Sequence, residues 1–255
     1  MQIQLLRHAT CVLRVNNLRV LTDPMLSHAE AMDPVPDAAD TRRIPLVKLA
    51  LDDAGLESLI RQLDAVLVTH LHRDHFDARA AEILPKTLPV ICQPADADGL
   101  AQMGFRTLLP VETVREWQGV RITRTGGHHG RGEVGERMGT VSGFVLRVPG
   151  EPSLYLAGDT IWCAEVEAAI VGLRPDVIVV NSGAAQFLSG GPITMTAEDV
   201  IRVCRAAAGA TVVAVHLGAL NHCLLTREDL GSALEGAGAL ARVRIPADGE
   251  SLTFP

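Results

Sequence analysis

The chain has 255 residues, of which 47% are hydrophobic and 21% are charged, a composition typical of a globular protein and not of a disordered one. Its net charge of −7 gives it no general attraction to nucleic acid or to anionic membranes. Aromatic residues make up only 3% of the chain, so the core must be aliphatic and a stacking platform for single-stranded nucleic acid is not expected.

No segment predicts export or membrane insertion. The longest apolar runs have about five residues, far fewer than the roughly 20 that span a bilayer. The N-terminus lacks the basic and then apolar pattern of a signal peptide. The five cysteines are odd in number and widely spaced, which is typical of reduced thiols. We therefore expect a cytoplasmic protein without a membrane partner.

The first quarter of the chain predicts strands followed by a long loop. The alternating residues 2–15 predict one strand, Asn16-Asn17 predicts a turn, and residues 18–21 predict a second strand. The segment 23–45 contains four prolines and predicts a long loop. Long loops inside compact domains are usually functional. A helix is expected over residues 53–63.

From residue 65 onward, strands and helices alternate without a linker or a break in composition. We expect strands over residues 65–69, 89–92, 106–109, 119–125, 141–148, 153–156, 176–180, 212–216, 243–245 and 251–254. We expect helices over residues 77–84, 96–103, 165–172 and 196–208, and one that begins at Thr226. The pattern predicts a single domain over residues 1–255 with two α/β halves.

Seven of the nine histidines fall into three short clusters, each beside the end of a predicted strand. A histidine in a protein core is usually single, so clustering favours a functional site. The clustered residues are His70, His72 and His75; His128 and His129; and His216 and His222. Between the last two clusters, Asp159 also follows a predicted strand.

The densest cluster is Thr69-His70-Leu71-His72-Arg73-Asp74-His75, directly after an apolar strand. His70 and His72 are two positions apart, so their side chains can point the same way from an extended turn. Asp74 and His75 begin a helix and can point to a second position nearby. Imidazole and carboxylate ligands suit zinc and related first-row divalent ions.

This His-x-His-x-Asp-His pattern resembles the signature of the metallo-β-lactamase superfamily. The resemblance covers nearly the whole chain and is closest to the branch that includes L-ascorbate-6-phosphate lactonase. It implies a four-layer αββα sandwich, with two mixed sheets face to face, helices outside and the site at one edge. The other segments that carry the resemblance are Thr22-Asp23-Pro24, Gly126–Gly130, Leu156–Thr160 and Val212–His216.

The resemblance also implies a binuclear metal site. Zn²⁺ is the expected ion, with Mn²⁺ or Fe²⁺ as alternatives. A hydroxide between the two ions would attack a carbonyl or phosphorus centre, and Asp74 would also orient this nucleophile. By position, His70, His72 and one of His128 and His129 would hold the first ion, Asp74, His75 and His216 the second, and Asp159 would bridge them.

The His128-His129 pair leaves a choice. Neighbouring side chains in an extended stretch point to opposite faces, so only one of the two is expected to bind metal. In the proteins that this chain resembles, the ligand precedes a glycine, which favours His129. The glycines around the pair do not form a dinucleotide-binding fingerprint, because no helical pattern follows them.

Other residues are candidates for supporting roles. His222 is expected to contact the substrate or to donate a proton to its leaving group, with a loop cap as the alternative. The resemblance places His8 near the metals. Asp23 is expected to orient a ligand histidine through its free ring nitrogen. Arg42 and Arg43 lie in the expected lid, residues 25–46, and are either anion contacts or a solvated pair.

These features predict a metal-dependent hydrolase that acts on a small ester, lactone or phosphorylated molecule. A non-haem iron oxidoreductase of the same fold and a non-catalytic metal-binding regulatory module are the alternatives. The expected partner is a small-molecule substrate and not nucleic acid, and a homo-oligomer is compatible with the sequence.

Overall fold

The computed structural model describes residues 1–255. The strands are β1 Gln2–Arg7, β2 Thr10–Val15, β3 Leu18–Thr22, β4 Ala65–Val68, β5 Val90–Cys92, β6 Leu108–Pro110, β7 Val114–Trp117, β8 Val120–Thr125, β9 Gly143–Arg147, β10 Leu154–Leu156, β11 Val177–Asn181, β12 Thr211–Val215, β13 Val243–Arg244 and β14 Ser251–Thr253. The helices are α1 Asp53–Ile60, α2 Ala78–Ile83, α3 Ala97–Gln102, α4 Gly132–Met138, α5 Ala164–Leu173, α6 Ala197–Ala206 and α7 Arg227–Gly236.

The strands form two mixed sheets of seven strands each. The first has the order β14-β1-β2-β3-β4-β5-β6, and the second has the order β13-β12-β11-β10-β9-β8-β7. In the first sheet the strands from β14 to β3 pair antiparallel and those from β3 to β6 pair parallel. In the second, the strands from β7 to β10 pair antiparallel and those from β10 to β13 pair parallel. Each sheet therefore consists of an antiparallel part followed by a parallel part.

Apolar side chains pack between the two sheets and also on the outer face of each. Leu5 and Leu13 of the first sheet meet Phe144 and Val213 of the second in the central cluster. Burial of such aliphatic side chains contributes roughly 1.5–3 kcal/mol each. The core is aliphatic, as the composition predicts.

Helices cover both outer faces. Leu56 of α1 and Leu100 of α3 pack on the first sheet. Ile170 of α5, Val203 of α6 and Leu234 of α7 pack on the second. The order of layers is helix, sheet, sheet, helix, which confirms the predicted αββα sandwich.

Several helices begin where the sequence predicts. The Asp77 carboxylate accepts a hydrogen bond from the Ala80 N–H at the start of α2. Thr196 and Asp199 form a reciprocal capping box at the start of α6. Thr226 accepts a hydrogen bond from the Asp229 N–H at the start of α7. Each side chain satisfies backbone N–H groups that a helix end leaves unpaired.

Three sequence predictions were wrong in detail. Residues 2–15 form two strands, because His8 and Ala9 make a tight turn between β1 and β2. The strand β7 was not predicted, since it is a half-exposed edge strand. The helix α4 follows the glycines at 126–130, where no helix was expected, and it buries no residue. A helix without a buried face has no apolar periodicity to reveal it.

The predicted long loop is present. The segment between β3 and α1 contains no helix or strand, and one isolated bridge between Met32 and Ile44 closes it into a compact lobe. None of the helices combines the length and apolar composition that a membrane crossing requires.

Candidate metal centre

The predicted ligands lie just beyond the ends of strands from both sheets. His70 follows β4 of the first sheet, whereas His129, Asp159 and His216 follow β8, β10 and β12 of the second. Both sheets end at the same edge of the sandwich there. The side chains therefore meet although they are far apart in sequence.

Three imidazoles form the first group, which consists of His70, His72 and His129. One ring nitrogen from each lies within 4.8 Å of the others. His70 Nε2 is 2.9 Å from His72 Nδ1. The other ring nitrogens are occupied, since His129 Nδ1 donates to the Ile193 carbonyl at 2.7 Å and His70 Nδ1 lies 3.1 Å from Thr69 Oγ1. These contacts leave Nε2 of His70 and His129 free to bind an ion.

The second group contains Asp74, His75 and His216. Asp74 Oδ2 lies 3.6 Å from His75 Nε2 and 3.8 Å from His216 Nε2. Both of these imidazole nitrogens are buried without a hydrogen-bond partner. A buried polar atom without a partner costs about 1–3 kcal/mol, so such a pair indicates a missing ligand.

Asp159 touches both groups. Its Oδ2 atom lies 3.4 Å from His129 Nε2 and 3.2 Å from His75 Nε2, and its Oδ1 atom lies 3.4 Å from His216 Nε2. Asn181 Nδ2 donates to Asp159 Oδ1 at 2.6 Å, which fixes the carboxylate in place. The one buried carboxylate between the two sets of imidazoles is thus suited to bridging two cations.

The buried carboxylates at the second group favour a positive charge beside them. Burial disfavours a charged His75, but the carboxylates of Asp159, Asp23 and Asp74 together raise its pKa well above the ordinary value. Burial likewise opposes ionisation of Asp159, but His216 and His75 hold its pKa well below the ordinary value. Without an ion, protons on the histidines balance these carboxylates. A divalent cation can replace the protons.

His70 and His129 of the first group are neutral. Burial lowers the pKa of His70 well below its ordinary value, and it lowers the pKa of His129 in the same direction. Neutral imidazole is the form that binds metal. The donor set therefore fits first-row divalent ions at both groups.

Asp23 supports both groups. The sequence predicts that it orients a ligand histidine through the free ring nitrogen. Its Oδ2 atom lies 2.9 Å from His75 Nδ1 and accepts a hydrogen bond from Thr69 Oγ1 at 2.8 Å. The Thr69 hydroxyl in turn contacts His70. One buried carboxylate thus orients a histidine of each group.

The structure separates the two neighbouring histidines. His129 is 3% exposed and faces the centre, whereas His128 is exposed and its Nε2 atom lies 3.0 Å from Glu165 Oε1. His8 lies deeper than expected. It is fully buried, and its Nε2 atom is 3.2 Å from Asp74 Oδ2.

A cavity of about 420 Å³ opens onto the centre. His72, Asp74, His129 and Asp159 line its floor, and His222 lies on its wall. Burial lowers the pKa of His222 to about 4, so this imidazole is neutral at pH 7. The rest of the wall consists of Arg73 and five apolar residues, Pro34, Val35, Pro36, Met138 and Phe187.

Arg42 and Arg43 do not line this cavity. Arg42 pairs with Asp40, and Arg43 pairs with Asp33 on the outer surface of the loop. Arg73 is the one basic residue at the cavity, and it donates to the backbone carbonyls of residues 33 and 34. A larger groove of about 650 Å³ beside α1 contains none of the clustered ligands.

Sequence reasoning missed several contributors to the site. Asn181 stands at the end of β11, as the ligands stand at the ends of their strands, and this position could have indicated it. Phe187 and Met138 reach the cavity from irregular or exposed segments, where no sequence pattern marks them. Asn221 bonds to the loop that forms one wall, a contact across 186 residues that no local pattern predicts.

An αββα sandwich with this histidine and aspartate centre at its strand ends defines a metal-dependent protein of the metallo-β-lactamase fold. A family model described as "Beta-lactamase superfamily domain" matches residues 19–217, and the chain belongs to that superfamily. Within it, the chain belongs to the branch whose members are described as metal-dependent hydrolases.

Relatives match the whole chain. "UPF0173 protein YddR" of Bacillus subtilis is 37% identical over 257 residues and covers 100% of both chains. The structure of a possible metal-dependent hydrolase from Veillonella parvula is similar with a TM-score of 0.95 and 32% identity, covering 100% of this chain and 99% of that one. An isothiocyanate hydrolase from Delia radicum gut bacteria has a TM-score of 0.93, 33% identity and the same coverage.

Proposed function

We propose that this protein hydrolyses a small uncharged molecule at an electrophilic carbon, using two divalent ions. The observation that carries the proposal is the position of Asp159, whose two carboxylate oxygens lie 3.2–3.4 Å from nitrogens of both histidine groups. One ion would be held by His70, His72 and His129, and the other by Asp74, His75 and His216. Zn²⁺ is the first choice for a centre so rich in imidazole.

When bound, such ions act as Lewis acids and lower the pKa of a water molecule toward 7. The residues of the chain determine how that chemistry is used. Asp74 is 14% exposed and reaches the cavity floor, so its carboxylate can accept a hydrogen bond from the attacking water and orient it. Asn181 donates a hydrogen bond to Asp159 and holds it in place between the two histidine groups.

His222 is placed to act on the substrate. It lines the cavity, is 6% exposed, and packs against the Phe187 ring at a centroid distance of 6.0 Å. Because its pKa is lowered, it is a neutral imidazole. It can therefore donate an N–H hydrogen bond to the substrate without adding a fixed charge to the cavity, and the leaving group takes its proton from the attacking water.

The cavity wall supports a neutral substrate over a phosphorylated one. Five apolar residues form most of the wall, and the one arginine is held by two backbone carbonyls. A phosphate group is usually bound by several free cationic or N–H donors. The similar protein described as an isothiocyanate hydrolase acts on an uncharged carbon electrophile, in keeping with such a wall.

A substrate panel tests the proposal. Metal-replete protein would be assayed with a neutral ester, a neutral lactone and an isothiocyanate, and with a phosphorylated sugar lactone and a phosphodiester. We expect at least one neutral substrate to be turned over with a kcat/KM about 100-fold above both phosphorylated ones, equivalent to about 2.7 kcal/mol. A preference for the phosphorylated substrates would refute the proposed substrate class.

Two variants control this panel. Asp159→Asn keeps the shape of the side chain but removes the charge between the ions, and it should lower turnover by about 10³-fold or more, on the scale of several kcal/mol. Glu165→Gln removes a carboxylate that is outside the centre and should leave turnover unchanged. Equal activity of both variants with the wild type would mean that Asp159 does not serve the reaction.

A further inference from the structure

One buried polar side chain beside the centre, that of His8, belongs to neither of the two groups described so far. His8 lies in the two-residue turn between β1 and β2, and no part of its side chain is exposed. Its Nδ1 atom is buried without a hydrogen-bond partner. The one hydrogen-bond partner of its side chain is the ligand carboxylate of Asp74, at 3.2 Å from Nε2.

The backbone at His8 is held in an uncommon conformation that aims the ring at the second group. His8 has a φ of +60°, in the left-handed region that residues other than glycine rarely adopt. His216, which it faces, has a φ of +68°. The His216 N–H donates to the His8 carbonyl at 2.9 Å, and the centroids of the two rings are 3.6 Å apart. Non-glycine residues in such conformations cluster at functional sites.

The spacing of the atoms matches ligands of one ion. Two ligand atoms about 2.0–2.1 Å from a tetrahedral ion are about 3.3 Å apart. The Nε2 atom of His8 and the Oδ2 atom of Asp74 are 3.2 Å apart. One nitrogen or oxygen from each of His8, Asp74, His75 and His216 lies within 4.8 Å of all the others.

The two groups then differ in number. Beside the carboxylate of Asp159, which both groups share, the second offers four candidate ligands and the first offers three imidazoles. Each further protein ligand leaves an ion fewer positions for water or substrate, so the first group is the more open of the two. The cavity agrees with this difference, because His72 and His129 of the first group line it, whereas Asp74 is the one residue of the second group that does.

We propose that His8 is a fourth protein ligand of the second ion, beside Asp74, His75 and His216 and the shared Asp159. His8 would then hold the second ion away from the cavity, and the first group would be the one that faces the substrate. This inference rests on the binuclear centre of the proposed function, but its test does not depend on turnover.

The test is a Co²⁺ titration of the metal-stripped full-length protein, followed by visible absorption and by metal analysis. Four-coordinate Co²⁺ absorbs much more strongly than six-coordinate Co²⁺, so the spectrum reports the number of ligands. His8→Asn tolerates the left-handed backbone but is too short to reach an ion. His8→Gln can still donate a hydrogen bond to Asp74 but has no imidazole. His28→Asn, at a surface histidine, is the matched control.

We expect the wild type and His28→Asn to bind two Co²⁺ ions with the same spectrum. Both His8 variants should bind one of the two ions more than 100-fold more weakly, beyond the 10–100-fold cost of losing a mere supporting residue. Their visible spectra should also differ from that of the wild type, because the affected ion loses a nitrogen ligand. A wild-type spectrum and two tightly bound ions in His8→Gln would overturn the proposal and leave His8 as a hydrogen-bond donor to Asp74.

The outcome also separates this inference from the proposed function. A wild-type protein that binds a single ion would refute the binuclear proposal. The affinity for that ion in His8→Gln and in His28→Asn would still decide the role of His8. Binding more than 100-fold weaker in His8→Gln alone supports ligation, and equal binding in the two variants refutes it.

Discussion

The adjacent residues His128 and His129 have different surroundings, and only one of them faces the metal centre. His129 is buried, and its Nδ1 atom donates to the Ile193 carbonyl, which turns Nε2 toward Asp159. His128 is exposed and pairs with Glu165. A surface pair of this kind contributes at most about 1 kcal/mol.

Substitution of each histidine should therefore give opposite results. His129→Ala removes one of three imidazoles of the first group and should lose one bound ion per chain and nearly all turnover. His128→Ala should keep both ions and stay within about twofold of wild-type kcat/KM, since only a surface pair is lost. Metal analysis and kinetics of both proteins measure this. Loss of metal in His128→Ala, with both ions retained in His129→Ala, would identify His128 as the ligand.

At the scale of residues, the sequence indicated the ligands but not what holds them. The identity of the histidine and aspartate residues, and their positions after predicted strands, can be read from the sequence. The groups that orient them are not, because the Ile193 carbonyl and the Asn181 amide become neighbours of His129 and Asp159 only in the folded chain. His8 escaped assignment for a related reason, since its turn lacks the glycine or asparagine that usually marks a left-handed residue.

At the scale of elements, the Asn221 side chain bonds the long loop after β3 in place beside the cavity. Asn221 accepts a hydrogen bond from the Val35 N–H at 2.9 Å and donates to the carbonyls of Val35 at 3.0 Å and Asp40 at 2.6 Å. Val35 and Pro36 line the cavity. Asn221 therefore positions the wall that faces the substrate, although it does not touch the cavity itself.

Loss of these contacts should affect substrate binding more than chemistry. Each hydrogen bond contributes about 1 kcal/mol, so Asn221→Ala should raise KM by about tenfold or more, leave kcat within about threefold and retain both ions. Asn221→Asp keeps the acceptor for Val35 but loses both donor contacts, so its KM should be intermediate. Kinetics and limited proteolysis within residues 25–46 measure the effect. Unchanged KM and protease resistance in Asn221→Ala would show that the loop is held by other contacts.

A second element-scale prediction concerns pH and the start of α3. Burial raises the pKa of Asp96 to about 6 from its ordinary value of 3.8. Between these values the folded protein binds more protons than the unfolded one, so the free energy of unfolding decreases as the pH rises through this window. Its carboxylate accepts a hydrogen bond from Gln93 Nε2, which an asparagine carbonyl can also accept.

Asp96→Asn should therefore stabilise the protein by about 1 kcal/mol at pH 7, a value reduced for the partial exposure of this side chain. The gain should disappear below about pH 4, where the wild-type carboxyl is protonated in both states. Urea unfolding at pH 7 and at pH 4 measures the difference. An equal effect at the two pH values would mean that it does not come from ionisation.

Elements were predictable wherever burial imposes a period. The interior strands β4, β11 and β12 are short runs of buried aliphatic residues, and both the sequence and the structure have them within one or two residues. The edge strand β7 and the helix α4 have little or no buried surface, so nothing in their sequences distinguishes them from loops. The two-sheet sandwich was implied by the resemblance that the histidine and aspartate segments carry, so the fold was predicted although these two elements were missed.

Taken as a whole, the molecule has two similar halves that the centre joins. His70, His72, Asp74 and His75 come from the end of β4 in the first sheet, and the remaining ligands come from the second. The apolar cluster between the sheets holds them together elsewhere. At the site edge, however, the interface consists of buried carboxylates and imidazoles, so cohesion there depends on charge balance more than on apolar burial.

Removal of metal should therefore lower the stability of the whole fold without abolishing it. An ion present at 1,000 times its Kd adds about 4.1 kcal/mol, and in a chain of this size 1 kcal/mol shifts Tm by about 2–4 °C. Chelation should thus lower Tm by about 10 °C or more per ion, and added Zn²⁺ should restore it. In His129→Ala, which lacks a ligand, the same treatment should give a smaller shift. Because the three apolar clusters do not involve the ligands, the stripped protein should still unfold cooperatively. Calorimetry with parallel metal analysis tests this, and an unchanged Tm in protein shown to have lost its metal would mean that the two sheets are held at this edge without ions.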